Sequence, residues 1–559
     1  MNRYSLVLFL TISVVSFLSS GSLSGAVFGD FEYSDTGTTI TITEYNGIGG
    51  NIVIPDTIDG KPVTVIGSRA FECEVTISGR PMTMPRTKPL KLKHPGKVTM
   101  SGTLTLPPSL TTIKERAFSG CNGFNGTLTL PSTLTTIEGG AFAGCDGFTG
   151  SLTIPEDVTI VSRYAFSGCS GFSGTLILPS TLTTIEEGAF GGCDGFTGAL
   201  TIPEGVATIE YQAFYGCSGF TGSLTIPEGV STIGEQSFSD CSGFNGTLTL
   251  PSTLTTIGHI AFWDCSGFTG SLTIPEGVTT IGNGAFARCS GFTGSLTLPS
   301  TLTTIGNAFD GCSGFTGSLT IPEGVTEVGS SAFRGCSGFT GTLTIPEGVT
   351  SIGSGAFYGC SGFNGTLTLP STLTTLGINA FSGCSGISKA FFLGNAPKNM
   401  GEQVFEGTAE GFIIVCSQKS TGFTFPRWKG YPCETKTVEG AGREPNIEQL
   451  HKTDYGDKSR IADQVYEMQE TEEKPRPVRQ IEPAYPADLE KRKIGGWVDV
   501  EFIVDERGNV TNPIVTRFEH PEFEQPALEA VQKWKFTPGK IDGKPVKVRV
   551  TMPVVFIPR

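Results

Sequence analysis

A phenylalanine–cysteine motif recurs every 24 residues from about residue 100 to residue 387, and this repeat limits the fold more than any other feature. One unit, residues 270–293, reads Gly-Ser-Leu-Thr-Ile-Pro-Glu-Gly-Val-Thr-Thr-Ile-Gly-Asn-Gly-Ala-Phe-Ala-Arg-Cys-Ser-Gly-Phe-Thr. Leu272 and Ile274 alternate with Ser271 and Thr273, which predicts a short strand with one buried face. Pro275 ends that strand because it has no N–H for a continuing ladder. Val278 and Ile281 are expected to turn inward, and Ala285, Phe286, Cys289 and Phe292 close the coil. A unit this small cannot bury its own apolar face, so it must stack on copies of itself. The strand-ending prolines from Pro107 to Pro370 give twelve such units, with a divergent first one around Pro55. Thirteen stacked coils at the usual strand spacing predict a sheet on the order of 60 Å long.

Twelve of the 15 cysteines, Cys121 through Cys384, sit in this repeat, 24 residues apart except for one 23-residue step from Cys289 to Cys312. Equivalent positions in a stack point the same way. A disulfide needs side chains that face each other, so the ladder reads as small buried packing residues rather than bonded pairs. Cys416 and Cys433 lie outside the ladder and are the pair expected to bond.

The Ile-Pro strand end, the following valine and isoleucine, and Ala285-Phe286-Ala287-Arg288-Cys289 resemble the BspA-like leucine-rich repeats. The resemblance covers residues 31 to about 433 and implies a leucine-rich-repeat solenoid of short parallel strands. It departs from the family pattern in the Gly-Phe-Thr-Gly inserted before each strand. Domain boundaries follow: a lead-in, a divergent repeat and a basic stretch over 27–100, the solenoid over 101–387, and a cap over 388–433. Residues 75–100 lack the motif and carry Arg80, Arg86, Lys88, Lys91, Lys93 and Lys97; they read as a decayed repeat, or as a basic loop able to meet an anionic envelope polymer. The outward strand residues, such as Ser271, Thr273, Thr342 and Thr344, make a hydroxyl-covered face. That face is either simply solvated or a broad surface for a protein or polysaccharide ligand.

Only 16% of residues are charged and the net charge is −14, which argues against a nucleic-acid partner. At the N-terminus, Arg3 precedes an apolar run from Leu6 to Leu18 and then small residues through Ala26, the order of a secretory signal over 1–26. Export to the periplasm, envelope or cell surface follows. The other reading is an uncut anchor from Tyr4 to Phe28, which alone would make the membrane a partner. His94, His259, His451 and His520 are scattered, and there is no phosphate loop, metal-spaced set or nucleophile elbow. No catalytic residue, metal or cofactor is expected, and the chain does not read as an enzyme.

Residues 434–480 are charged and polar and read as a flexible linker. Residues 481–559 form a different small domain. Trp497 to Val504 alternates as a strand, Asp505-Glu506-Arg507-Gly508 is a hairpin turn, and Asn509 to Phe518 returns. Ala527, Leu528, Val531 and Trp534 fall at helical spacing, and Val546 to Ile557 alternates again, giving β-β-α-β with a short helix near 487–493. Tyr485-Pro486, Gly495-Gly496-Trp497-Val498, Val504 through Val510, Ala527 through Lys540 and Gly543-Lys544-Pro545-Val546 resemble the TonB C-terminal domain. Members of that family engage outer-membrane transporters by strand addition. The resemblance therefore implies contact through Glu482, Pro483, Ala484, Tyr485 and Pro486, and through the final strand with Val548, Val550, Met552, Val554 and Phe556. Core and edge packing is the competing role for the same residues. The cleavable N-terminal segment, and a repeat array in place of a proline-rich spacer, depart from the energy-transducing members. Three readings stand: an envelope interaction protein binding an outer-membrane transporter or another envelope protein, a surface adhesin acting through the repeats, and a membrane-anchored energy transducer.

Overall fold

The computed structural model describes residues 26–73, 100–436, 465–467, 471, 473–491, 493–518, 520–541 and 543–556. The N-terminal segment read as a signal, most of the basic stretch and most of the charged linker lie outside these residues. Among the described residues no helix is long and apolar enough to cross a membrane. The chain forms two bodies, divided near Val438.

The first body is a right-in-register stack of about fifteen turns. Every regular coil carries a short Thr-Ile-type strand that was not expected, and eight of the twelve also carry the expected strand at the leucine position. Leu272–Thr273 and Thr280–Ile281 both pair with the equivalent residues one coil away, always in parallel. The Thr-Ile strands build the longer ladders, such as the six-stranded one from Ile160–Val161 to Thr280–Ile281. The Leu-Thr strands pair two at a time. Leucine, isoleucine and phenylalanine of every coil point into one continuous core. Ring stacking runs down its length: Phe238 lies 5.3 Å from both Phe214 and Phe262, at interplanar angles of 11° and 2°. Coils approach so closely that glycine is required beside the second phenylalanine. A Cβ on Gly147 would sit 2.0 Å from the Phe124 carbonyl oxygen, and one on Gly267 would sit 2.2 Å from that of Phe244.

The cysteine ladder is buried, as the repeat implied. Each thiol from Cys145 to Cys384 donates to the phenylalanine carbonyl of the preceding coil at 3.0–3.1 Å, for example Cys217 to Phe190 and Cys289 to Phe262. Cysteine therefore combines small apolar volume with one weak donor. A second link appears wherever a Pro-Glu coil precedes a Pro-Ser coil. Glu156, Glu228, Glu276 and Glu347 accept the backbone N–H and hydroxyl of Ser180, Ser252, Ser300 and Ser371 at 2.7–3.2 Å.

Both ends are capped. At the N-terminal end Ala26–Phe28, Phe31–Asp35 and Ile40–Tyr45 pair antiparallel before Lys61–Ile66 joins the parallel ladder. Ile52–Val53 pairs directly with Leu104–Thr105, and Val65–Ile66 with Thr112–Ile113. The coils on either side of residues 74–99 are thus immediate neighbours. At the other end Asn364–Leu369, Gly386–Phe392, Ile413–Ser417 and Tyr431–Lys436 continue the parallel stacking. This places Cys433 opposite Ile414, and Cys416 opposite Thr435. Cys416 and Cys433, the pair expected to bond, are both thiols on adjacent strands, with their side chains close enough for one to hydrogen-bond the other.

The second body contains β1 (Val465–Glu467), β2 (Arg476–Arg479), α1 (Ala487–Lys491), β3 (Gly496–Val504), β4 (Val510–Phe518), α2 (Glu524–Val531), β5 (Lys535–Thr537), β6 (Gly539–Ile541) and β7 (Lys544–Phe556). Its main sheet has the order β1-β7-β3-β4, and β6 forms a hairpin with β7. Val498, Val500, Phe502, Val531 and Trp534 form its core with the inner face of β7. β1 and β2 come from the stretch read as a flexible linker, yet β1 lies parallel against β7 and β2 pairs with β5. Of that stretch, residues 434–436 complete the last solenoid strand, and the described residues from 465 on belong to this domain.

Candidate interaction surfaces

On the solenoid the titratable groups serve the fold. Glu138 accepts the Glu115 N–H at 2.9 Å, Glu186 accepts that of Arg163 at 2.9 Å, and Glu210 that of Glu187 at 3.1 Å. A shallow cleft lined by Glu115, Glu138, Arg163 and Glu186 is thus a column of backbone caps. Burial pushes the ladder thiols upward, Cys169 and Cys217 to about 12, the opposite of what a nucleophile needs. Among the described residues no group of histidine, cysteine or carboxylate side chains is arranged to hold a metal ion. His259 is exposed, and the His520 ring packs 5.9 Å from that of Phe523. His94 and His451 lie outside the described residues.

The C-terminal domain offers a more defined surface. β7 is bound along one side by β3, from Val548 opposite Val504 to Phe556 opposite Gly496. Elsewhere, Lys544–Val546 pairs with β6 and Lys547–Arg549 with β1. Among the described residues no strand pairs with the other side of Val550–Phe556, which makes it the candidate edge of the sheet. Pro553 withholds one donor from it. The opposite edge, β4, is a poorer template, because it contains Pro513 and its register with β3 shifts twice.

Strand alternation divides the expected contact residues. Val548, Val550, Val554 and Phe556 are 0–4% exposed and face the core, and Met552 packs against it. Their side chains do the packing work that was the competing role. The face turned to solvent carries Arg549, Thr551, Pro553 and Val555, the last 57% exposed. The period of two in the sequence could have separated the two sets, but both sets contain a valine, so hydrophobicity alone did not assign the faces. Arg549 pairs with Glu501 of β3.

Tyr485 is an anchor. Its ring packs edge-on against Phe523 and Phe556 at 5.7 and 5.8 Å, and its hydroxyl donates to the Ile494 carbonyl at 2.6 Å. The preceding chain is held by Trp534, whose ring N–H donates to the Ile481 carbonyl at 2.9 Å. Pro483 and Pro486 are half-buried in this lead-in, while Glu482 and Ala484 are exposed. At the β3–β4 turn the Asp505 carboxylate accepts the N–H groups of Arg507 and Asn509 and the Asn509 side-chain amide at 2.7–2.9 Å. Partial desolvation raises its pKa, but these bonds outweigh that and hold it below the ordinary aspartate value. Gly508 has φ +77° and lies under the Phe536 carbonyl, where a Cβ would approach to 1.9 Å.

Comparison with known proteins agrees with this division. Residues 99–221, 220–340 and 306–421 match the BspA type leucine rich repeat region, which together covers more than half of the chain. Residues 481–558 match the Gram-negative bacterial TonB protein C-terminal region. Protein TonB of Vibrio cholerae serotype O1 is 37% identical over 78 residues, 14% of this chain and 32% of that protein. The chain thus spans about a third of the length of that curated relative. Among solved structures, a leucine-rich repeat protein from Bacteroides ovatus is 23% identical with a TM-score of 0.49, covering 66% of this chain and 94% of that one. A leucine rich cell surface protein from Faecalibacterium prausnitzii is 24% identical with a TM-score of 0.37, covering 67% and 97%. The chain belongs to the BspA-type leucine-rich repeat family, and ends in a domain of the Gram-negative TonB C-terminal type.

Proposed function

We propose that this protein works at the cell envelope by binding an outer-membrane transporter, or another envelope protein, through strand addition to β7. The two matched families are envelope- or surface-associated, and protein binding is the role they share. The observation that carries the finer reading is the side of Val550–Phe556 that no described strand covers, beside a sheet fixed by β3 and by the Tyr485 anchor. An extended partner segment would take main-chain hydrogen bonds there, and Arg549, Thr551 and Val555 would read its side chains. The solenoid serves as a scaffold of defined length. No catalytic step is part of this reading, which the raised thiols and the capping role of the solenoid glutamates support.

The test is retention of detergent-solubilised outer-membrane proteins from Gram-negative cells on the immobilised full-length chain, with bound proteins identified by mass spectrometry. An outer-membrane transporter should be retained by the wild type and lost with Thr551→Pro, which removes one donor from the exposed edge. If no envelope protein is retained, or if a folded Thr551→Pro chain retains the same one equally well, the proposal fails.

A further inference from the structure

The repeat places each cysteine three residues after its phenylalanine, as in Phe118-Ser119-Gly120-Cys121. The first coil breaks this rule. There the order is Phe71-Glu72-Cys73, with the cysteine two residues on. The shift changes where its thiol sits. Ladder thiols lie one above another, each on the phenylalanine carbonyl of the coil before. Cys73 instead comes round to the Phe71 carbonyl of its own coil at 3.3 Å, the same oxygen that Cys121 contacts from the next coil at 2.9 Å. The two sulfurs, drawn to one acceptor, lie 2.7 Å apart. Non-bonded sulfurs do not ordinarily come so near, and the parallel-column argument against bonding does not apply to a pair displaced in this way. Exposure differs as well: Cys73 is partly accessible, whereas Cys121 is buried.

We propose that Cys73 and Cys121 form a disulfide that staples the N-terminal coil to the first regular coil, with the basic stretch inside the covalent loop. The oxidant is a disulfide compound of the glutathione type. The accessible Cys73 thiolate attacks one sulfur of the oxidant, whose S–S bond breaks and releases one thiolate. The Cys121 thiolate then attacks Cys73 Sγ in the mixed disulfide, forming the protein S–S bond and releasing the second thiolate. The two protons lost by the cysteines appear on the two released thiols. The protein gives up two electrons, and one small disulfide is reduced to two thiols. The bond closes a covalent loop over residues 73–121, whose sequence includes Arg80, Arg86, Lys88, Lys91, Lys93 and Lys97.

The experiment is disulfide mapping on the full-length chain. The native protein is incubated with oxidised glutathione, blocked with N-ethylmaleimide, denatured and digested with trypsin without reduction. The expected product is a linked pair of peptides, residues 70–86 and 117–163, lighter by two hydrogens than their sum and separated by reduction. Fragmentation must place the bond on Cys121 and not on Cys145, which shares the second peptide. Cys73→Ser, a change at a partly exposed position, should abolish the linked pair while leaving the circular dichroism spectrum unchanged. Recovery of Cys73 and Cys121 as blocked thiols, or of Cys73 carrying only glutathione, overturns the proposal. So does a linkage found only between Cys416 and Cys433.

Discussion

Ser237 is the one described side chain whose buried polar atom has no partner: its Oγ makes no hydrogen bond and the residue is 0% exposed. The coils on either side carry alanine at the same place, Ala213 and Ala261. Backbone geometry is the same in all three. The Ser237 N–H donates to Gly234 at 3.3 Å and that of Ala261 to Gly258 at 3.4 Å, while the Ser237 and Ala261 carbonyls each accept from a phenylalanine N–H at 2.8 Å. The serine therefore adds a desolvated hydroxyl and nothing else. Leaving such a group unsatisfied costs about 1–3 kcal/mol, and the Cβ packing survives its removal. Ser237→Ala should stabilise the solenoid by about 1–2 kcal/mol, against the usual direction of core substitutions. The reverse change one coil on, Ala261→Ser, should cost a similar amount. Guanidinium unfolding of the full-length chain under reducing conditions, followed by circular dichroism, reads both. The expected result is a raised midpoint for the first variant and a lowered one for the second, with unchanged slope. An unchanged or lower midpoint for Ser237→Ala would refute the reasoning, since it would mean the hydroxyl is satisfied by a trapped water or by a small rotation.

Two further outcomes concern the C-terminal domain. Because the folded pKa of Asp505 is depressed, the stability it contributes is fully present above the ordinary aspartate value and is lost as pH falls through the folded one. Unfolding of the domain measured across the acid range should show this loss, and Asp505→Asn should remove that part of the slope. On β7, Val550→Asp places a carboxylate in the core and should destabilise the domain by about 3 kcal/mol or more. Val555→Asp, on the solvent face, should change unfolding by less than about 0.5 kcal/mol. Equal effects would mean that the faces are assigned wrongly.

The solenoid was readable because its signal repeats: leucine, isoleucine, phenylalanine and cysteine return at fixed offsets, and a stack is the only way to bury them all. The second strand of each coil was not readable. Thr280–Ile281 is two residues long, too short to show alternation, and forms only because the neighbouring coil supplies the ladder. The same limit hid β1 and β2, whose charged and proline-containing sequences carry no strand pattern and pair through contacts with β7 and β5. In the C-terminal domain the β3–β4 hairpin and α2 were visible from local chemistry. Which side of β7 stays open was not, because edge and core depend on strand order. The register of the strands that carry Cys416 and Cys433, and the one-residue shift at Cys73, are likewise properties of stacking that linear spacing outside the regular repeat does not reveal.

The Glu–Ser junctions make the coils unequal. Glu276 reaches Ser300 because a Pro-Glu coil happens to precede a Pro-Ser coil, and the same holds for Glu156, Glu228 and Glu347. Losing a serine coil alone strands its glutamate against a coil with no matching hydroxyl donor for the carboxylate, whereas losing the glutamate and serine coils as a block leaves every other junction whole. Recombination among these near-identical repeats would therefore be tolerated most readily in pairs. Eight of the twelve regular coils fall into such two-coil words, and the length of the array can be edited by whole words at little cost to the fold.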